Sequence, residues 1–285
     1  MPRPYKTIIS AGDLNENLAR PDWVVLDCRT KLGVAGSGLM LFERGHIPGA
    51  CHIDLETDMS SPITEPSGRH PLPDAGELSG KLRARGVNNS SQIVCYDDLG
   101  GAFAARMWWL MKWLGHDAVC VLDGGIQHWE ALGHDLLSEP ITPEAGEFSG
   151  RPNRDMWVDI DGVCEALADG NTGLLDARTR ARFTAEDRLT DPVPGHIPGA
   201  HSYPYSENLD ENGRFKSPDA LRKRFERTGD RPAISMCGSG VTGCHNMLAM
   251  TLAGLPMGRL YVGSWSEWIR DENRPVATGD GQARN

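Results

Sequence analysis

The sequence lacks any apolar run long enough to cross a bilayer. Its longest nearly apolar stretch, MLAMTLAGLPM, has 11 residues, where a spanning helix needs about 20. The opening MPRPYKTIISAGDLNENL has no apolar block of signal-peptide length and acquires acidic residues early, so neither a signal nor a transit peptide is expected and the reading is cytoplasmic. Basic charge is also short: 29 Lys and Arg face 39 Asp and Glu, a formal charge of -10. That balance argues against nucleic acid and anionic membranes as partners, though not against a local basic pocket. A disulfide framework is missing too. Seven cysteines (28, 51, 95, 120, 164, 237, 244) are an odd number, sparsely and irregularly spaced, as in a chain from a reducing compartment. Cys95 and Cys120 fall in apolar runs and are read as small core residues.

What is present, in 285 residues that are 39% hydrophobic and 24% charged, is enough for about two globular domains. RGHIPGA at 44–50 recurs as PGHIPGA at 194–200, and VLDCR at 25–29 recurs as LLDAR at 174–178. Further along, YDDLGGAFAARM at 96–107 matches SMCGSGVTGCHN at 235–246 in pattern, with a shift of 139 that sets Asp98 opposite Cys237. The blocks keep their order, so one fold is used twice: an N-terminal domain at 1–139, a Pro- and Gly-rich linker at 140–153 and a C-terminal domain at 154–285. Within each half, short apolar runs (WVVLD, QIVCY, AVCVL; GLLDA, PAISM, RLYVG) alternate with helical periods. The fold class is therefore α/β, a mainly parallel sheet flanked by helices in each half. Val241, Cys244, Leu248, Leu252 and Leu255 share one helical face, as do Ala102, Ala105, Trp109 and Trp113.

Cys237 thus closes a strand and opens a glycine-bearing loop into a helix, the corner where open α/β sheets bind ligands and where exposure is greatest. Inward-facing amides there favour negative charge. Thiols in such settings titrate at roughly 3.5–7.5 rather than about 8.5, and the thiolate is the nucleophile. A zinc site is disfavoured because the spacing from Cys237 to Cys244 and His245 matches no common pattern and Cys244 lies on the apolar face. A phosphatase cradle would need Arg six residues after the nucleophile, and that position is Gly243.

The paired GHIPGA and LDxR blocks, the loop CGSGVT followed by Cys244 and His245, and GSWSEW at 263–268 together resemble the tandem-rhodanese sulfurtransferases over nearly the whole chain. The neutral loop is similar to that of the branch using 3-mercaptopyruvate. The resemblance implies a persulfide carried on Cys237 and passed to cyanide, a small thiol or a thioredoxin-like acceptor, with no metal or organic cofactor and a monomeric chain. It implies that the N-terminal half is catalytically silent, with Asp98 at the cysteine position. It assigns Ser239, His70 and Asp54 to proton handling around the thiol, Arg182 and Arg188 to the donor's carboxylate, and Gly238, Gly240, Val241 and Thr242 to the substrate-binding loop. Arg178 is read as a structural partner of Asp176, Arg180 as solvated, and His46 and His196, present in both halves, as structural. Gly243 and Val262 depart from the usual pattern, which has Ala and Asp there. Two other readings are thiosulfate sulfurtransferase, whose loops carry Arg and Lys where this chain has Gly238 and Ser239, and a sulfur- or redox-sensing module without turnover.

Overall fold

The computed structural model describes residues 4–228 and 231–280. The chain divides into two compact units. Unit 1 holds the described residues up to Ser61, Leu72–Asn153 and Glu211–Phe215; unit 2 holds Pro62–Pro71, Arg154–Asp210 and the described residues from Lys216 onward. The segment read as a linker is not a free tether, because Gly146 N donates to Arg83 O, Phe148 N to Val87 O and Asn153 N to Trp113 O, and the Phe148 ring is buried. A second departure from contiguous domains is that 62–71 belongs with the C-terminal half.

Unit 1 runs β1 (Ile8–Ile9), α1 (Ala11–Asn17), β2 (Trp23–Asp27), α2 (Ser37–Arg44), β3 (Ala50–His52), α3 (Ala75–Arg83), β4 (Gln92–Tyr96), α4 (Ala104–Trp113), β5 (Val119–Leu122) and α5 (Gly125–Ala131). Unit 2 repeats the order with β6 (Trp157–Val158), α6 (Ile160–Asp169), β7 (Gly173–Asp176), α7 (Arg180–Thr184), β8 (Ala200–Ser202), α8 (Pro218–Arg224), β9 (Ala233–Met236), α9 (Gly243–Leu252), β10 (Arg259–Tyr261) and α10 (Ser264–Trp268). The sheets are ordered β1-β5-β4-β2-β3 and β6-β10-β9-β7-β8, and all their pairings are parallel. The apolar runs form the inner strands. The two- and three-residue strands β1, β3, β6 and β8 are too short to show a period and become strands by pairing with an existing partner.

Each unit has its own core. Leu14, Val25, Val94, Tyr96 and Trp129 pack together in unit 1, and Val163, Leu174, Ile234, Tyr261, Trp265 and Trp268 in unit 2. Each such side chain contributes about 1.5–3 kcal/mol on burial. The expected one-sided burial of α9 is exceeded: every residue from Gly243 to Met250 is buried, because β9 and β10 pack on the helix together with α8 and the turn at 205–208.

The repeated motifs carry repeated contacts. Arg29 grips Asp27 and the carbonyl of Gly45, and Arg178 grips Asp176 and the carbonyl of Gly195. His46 stacks on Phe42 and His196 on Phe183, each with centroids 3.7 Å apart and Nδ1 2.8 Å from that residue's carbonyl. Arg178 and both histidines therefore have the structural duties read from their presence in both halves.

Candidate active site

Strand β9 ends at Met236, and residues 237–242 turn the chain into α9. Gly240 makes the turn possible: its φ is +79°, and a Cβ there would lie 2.3 Å from the carbonyl oxygen of Val262, so only glycine fits. The segment after β10 anchors the loop from below. Ser264 Oγ accepts from Cys237 N at 3.1 Å, and Trp265 N and Ser266 N donate to the carbonyls of Cys237 and Gly238. Ser239 N donates to Cys237 Sγ at 3.4 Å. Among the described residues, the N–H groups of Gly238, Val241 and Thr242 meet no protein acceptor. The sulfur thus accepts from one backbone donor in a loop with three further N–H groups that the fold itself does not use, an arrangement that suits a thiolate, a persulfide anion or an oxyanion.

The expected exposure of this corner is corrected: Cys237 is only 3% exposed. The physical reason is the segment 62–71, which folds over the loop. His70 Nδ1 lies 2.7 Å from Ser239 Oγ, and both residues are buried. Arg69 N donates to Ser266 Oγ at 3.0 Å. Gly68 lies so close to Gly263 that a Cβ would come within 2.4 Å of its carbonyl oxygen.

Asp98 is also corrected as the counterpart of Cys237. Tyr96 pairs with Asp27 as Met236 pairs with Asp176, and Ile126 N donates to Asp97 O as Trp265 N donates to Cys237 O. The equivalent of the cysteine is therefore Asp97. The loop before α4 is one residue longer than the loop before α9, and an ungapped comparison places that extra residue wrongly. Asp97 fills its own nest: Oδ1 accepts from Leu99 N and Gly101 N, and Oδ2 from Phe103 N and Ala104 N, at 2.7–2.9 Å. Burial raises this carboxyl above the usual range and the four amides offset only part of that; two donors on each oxygen is nonetheless the hydrogen-bond pattern that suits an ionised carboxylate. The same corner thus holds an internal anion in unit 1 and a thiol with unclaimed amides in unit 2.

Arg182 makes a two-point contact with Asp191, Nε to Oδ2 at 2.9 Å and Nη2 to Oδ1 at 2.7 Å, and its Nη2 lies 2.8 Å from where a Cβ of Gly238 would stand. Asp191 also accepts from Arg178 at 3.1 Å. Burial pushes Asp191 up, but Arg182 and Arg178 outweigh it and hold the carboxyl below the usual range. Arg188 lies on an exposed irregular segment, its Nε donating to Ala185 O at 3.4 Å. Arg180 is exposed and paired with Asp280. Cys244 is buried, with Sγ against Gly240 O. Asp54 belongs to unit 1. Its Oδ1 accepts from Glu56 N, Thr57 N and Thr57 Oγ1, and His52, with those donors, overcomes burial to hold the carboxyl at about 2. Sequence reasoning passed over Arg69, Asp191, Ser264 and Ser266. Ser264 and Ser266 lie within GSWSEW, but nothing local marks Arg69 or Asp191.

The rhodanese-like domain family matches residues 10–132 and 161–271. Over 279 residues the chain is 47% identical to a Pseudomonas aeruginosa protein named probable 3-mercaptopyruvate sulfurtransferase, covering 96% of this chain and 98% of that one. It is 34% identical to the thiosulfate sulfurtransferase of Rattus norvegicus, covering 93% of each. Among solved structures, SseA from Escherichia coli, a 3-mercaptopyruvate sulfotransferase, superposes with a TM-score of 0.81 at 31% identity, over 92% of this chain and 100% of that one.

Proposed function

The chain belongs to the rhodanese-like family as a sulfurtransferase, and we propose that it takes sulfur from 3-mercaptopyruvate onto Cys237 and passes it to a thiol or thioredoxin-like acceptor. The observation that carries this reading is that Ser239 N donates to the sulfur of Cys237 in a loop where three more amides have no protein acceptor. The Cys237 thiolate attacks the thiol sulfur of the donor. The new S–S bond forms as the donor's C–S bond breaks, and the electron pair leaves on carbon as the enolate of pyruvate. The proton of the former donor thiol then moves to that carbon, leaving pyruvate and an anionic persulfide. The coupled Ser239 hydroxyl and His70 imidazole, 2.7 Å apart, provide a path for that proton. In the second half, the acceptor thiol gives its proton to the persulfide, its thiolate attacks the outer sulfur of the now protonated persulfide, and the Cys237 thiolate leaves. The transfer is split into two displacements at one nucleophile.

Arg182 binds the donor's carboxylate, its planar fork already oriented by Asp191. Arg188 contributes less, since it must leave the carbonyl of Ala185 to do so. Asp54, held near 2, is a fixed negative charge at neutral pH and not a proton carrier. All seven cysteines are free thiols, which fits a reducing compartment. Among the described residues no helix is long and apolar enough to cross a membrane.

Turnover with 3-mercaptopyruvate and with thiosulfate, cyanide being the acceptor, tests the donor: kcat/KM should be far higher for 3-mercaptopyruvate, and the reverse order would move the chain to thiosulfate. Intact-mass analysis after donor alone should find one added sulfur in the native protein and in Cys244→Ser but none in Cys237→Ser.

A further inference from the structure

The loop around Cys237 carries no charged side chain, yet its surroundings are not neutral. Arg178 and Arg182 are matched by Asp176 and Asp191, so this group of four is balanced. Arg69 is different. Its Nη2 stands 2.9 Å from the position a Cβ of Gly238 would take, on the same point that Arg182 Nη2 approaches, and among the described residues no carboxylate lies within ion-pair distance of it. Two guanidinium tips converging on one point repel each other unless an anion is shared between them, and only Arg182 has its countercharge in the fold.

The backbone fixes this placement. Gly68 abuts Gly263, Arg69 N is held by Ser266 Oγ, which itself donates to the carbonyl of Gly263, and His70 is tied to Ser239. The side chain of Arg69 therefore leaves a short span clamped on both sides and lies over Gly238. The absence of a side chain at Gly238 gains a second meaning, since any Cβ would occupy the space where the two guanidiniums meet.

We propose that Arg69 is a substrate-binding residue that supplies the uncompensated positive charge for the donor's carboxylate and so selects an α-keto acid thiol as donor. This rests on the sulfur-transfer reading above and adds to it the residue that replaces loop cations. A guanidinium that binds the carboxylate equally in ground state and transition state acts on KM.

The test compares native protein, Arg69→Ala and Arg69→Lys on 3-mercaptopyruvate and on its methyl ester, which keeps the reacting sulfur and deletes the charge. Arg69→Ala should raise KM for the free acid about 10- to 100-fold, the worth of a charged hydrogen-bonded contact, with kcat within a few-fold. Arg69→Lys should recover part of the loss, and KM for the ester should be nearly the same in all three proteins. Equal losses on acid and ester, or an unchanged KM for the acid, overturn the role of Arg69. Failure of the native protein to turn over 3-mercaptopyruvate overturns the donor assignment instead.

Discussion

Ser264 holds the backbone of Cys237 at a cost to its own. Its φ is +54°, a region that disfavours residues with a Cβ by about 1–2 kcal/mol. Its Oγ donates to Tyr261 O at 2.8 Å and accepts from the buried N–H of Cys237. Ser264→Ala keeps the strain and leaves that N–H without an acceptor, so it should lose about 1–3 kcal/mol. Ser264→Gly loses the same bond but releases the backbone and should unfold at higher denaturant concentration than the alanine variant; the opposite order would mean the hydroxyl is not what holds residue 264 there. Asp54 provides a second test at this scale. Its folded carboxyl, held at about 2, lies below the unfolded value of about 3.9, so its charge stabilises the fold above about pH 4, and that contribution is lost as pH falls toward 2. Thermal scans should therefore find Asp54→Asn less stable than the native protein at neutral pH, with the gap closing between about pH 4 and 2.

At the scale of elements, the strand-loop-helix corner occurs twice with opposite contents. In unit 1 the four amides close on Asp97, and the corner is spent on stability. In unit 2 the amides at 238, 241 and 242 stay unclaimed and the anion is left to chemistry. Asp97→Asn replaces one acceptor oxygen with a donor facing N–H groups and should cost about 2–5 kcal/mol in denaturant unfolding. The neighbouring Asp98→Asn should not: burial, then the charge of Asp97, raise the Asp98 carboxyl, so removing its charge above that pKa is neutral or stabilising. Matching losses at both positions would refute the assignment of Asp97 as the cysteine's counterpart.

For the molecule as a whole, the repeat explains which residues are scaffold and which are specialised. The Asp–Arg and His–Phe contacts are the same in both units, because each unit ties the end of β2 or β7 to the first glycine of its GHIPGA block. What differs lies around one corner: Cys237, Ser239, His70, Arg69 and Arg182 have no matching set among the repeated motifs. With a formal charge of -10 overall, any pull on the proposed anionic donor comes from this local cluster of guanidiniums and not from the net field.

The sequence alone determined the twofold α/β architecture, the inner strands and the loop that carries Cys237, because apolar runs of four or five residues, repeated blocks and a glycine loop after a strand are local signals that tertiary context rarely overrides. Motif likeness also singled out His70 and Ser239, which lie 2.7 Å apart. Only the tertiary structure decided that 62–71 joins the C-terminal unit, that Asp97 and not Asp98 answers to Cys237, that the thiol is enclosed, and that Arg69 and Asp191 set the charge around it. Those are contacts between residues up to 203 positions apart in the chain, or turn on a single inserted residue, and neither leaves a periodic trace.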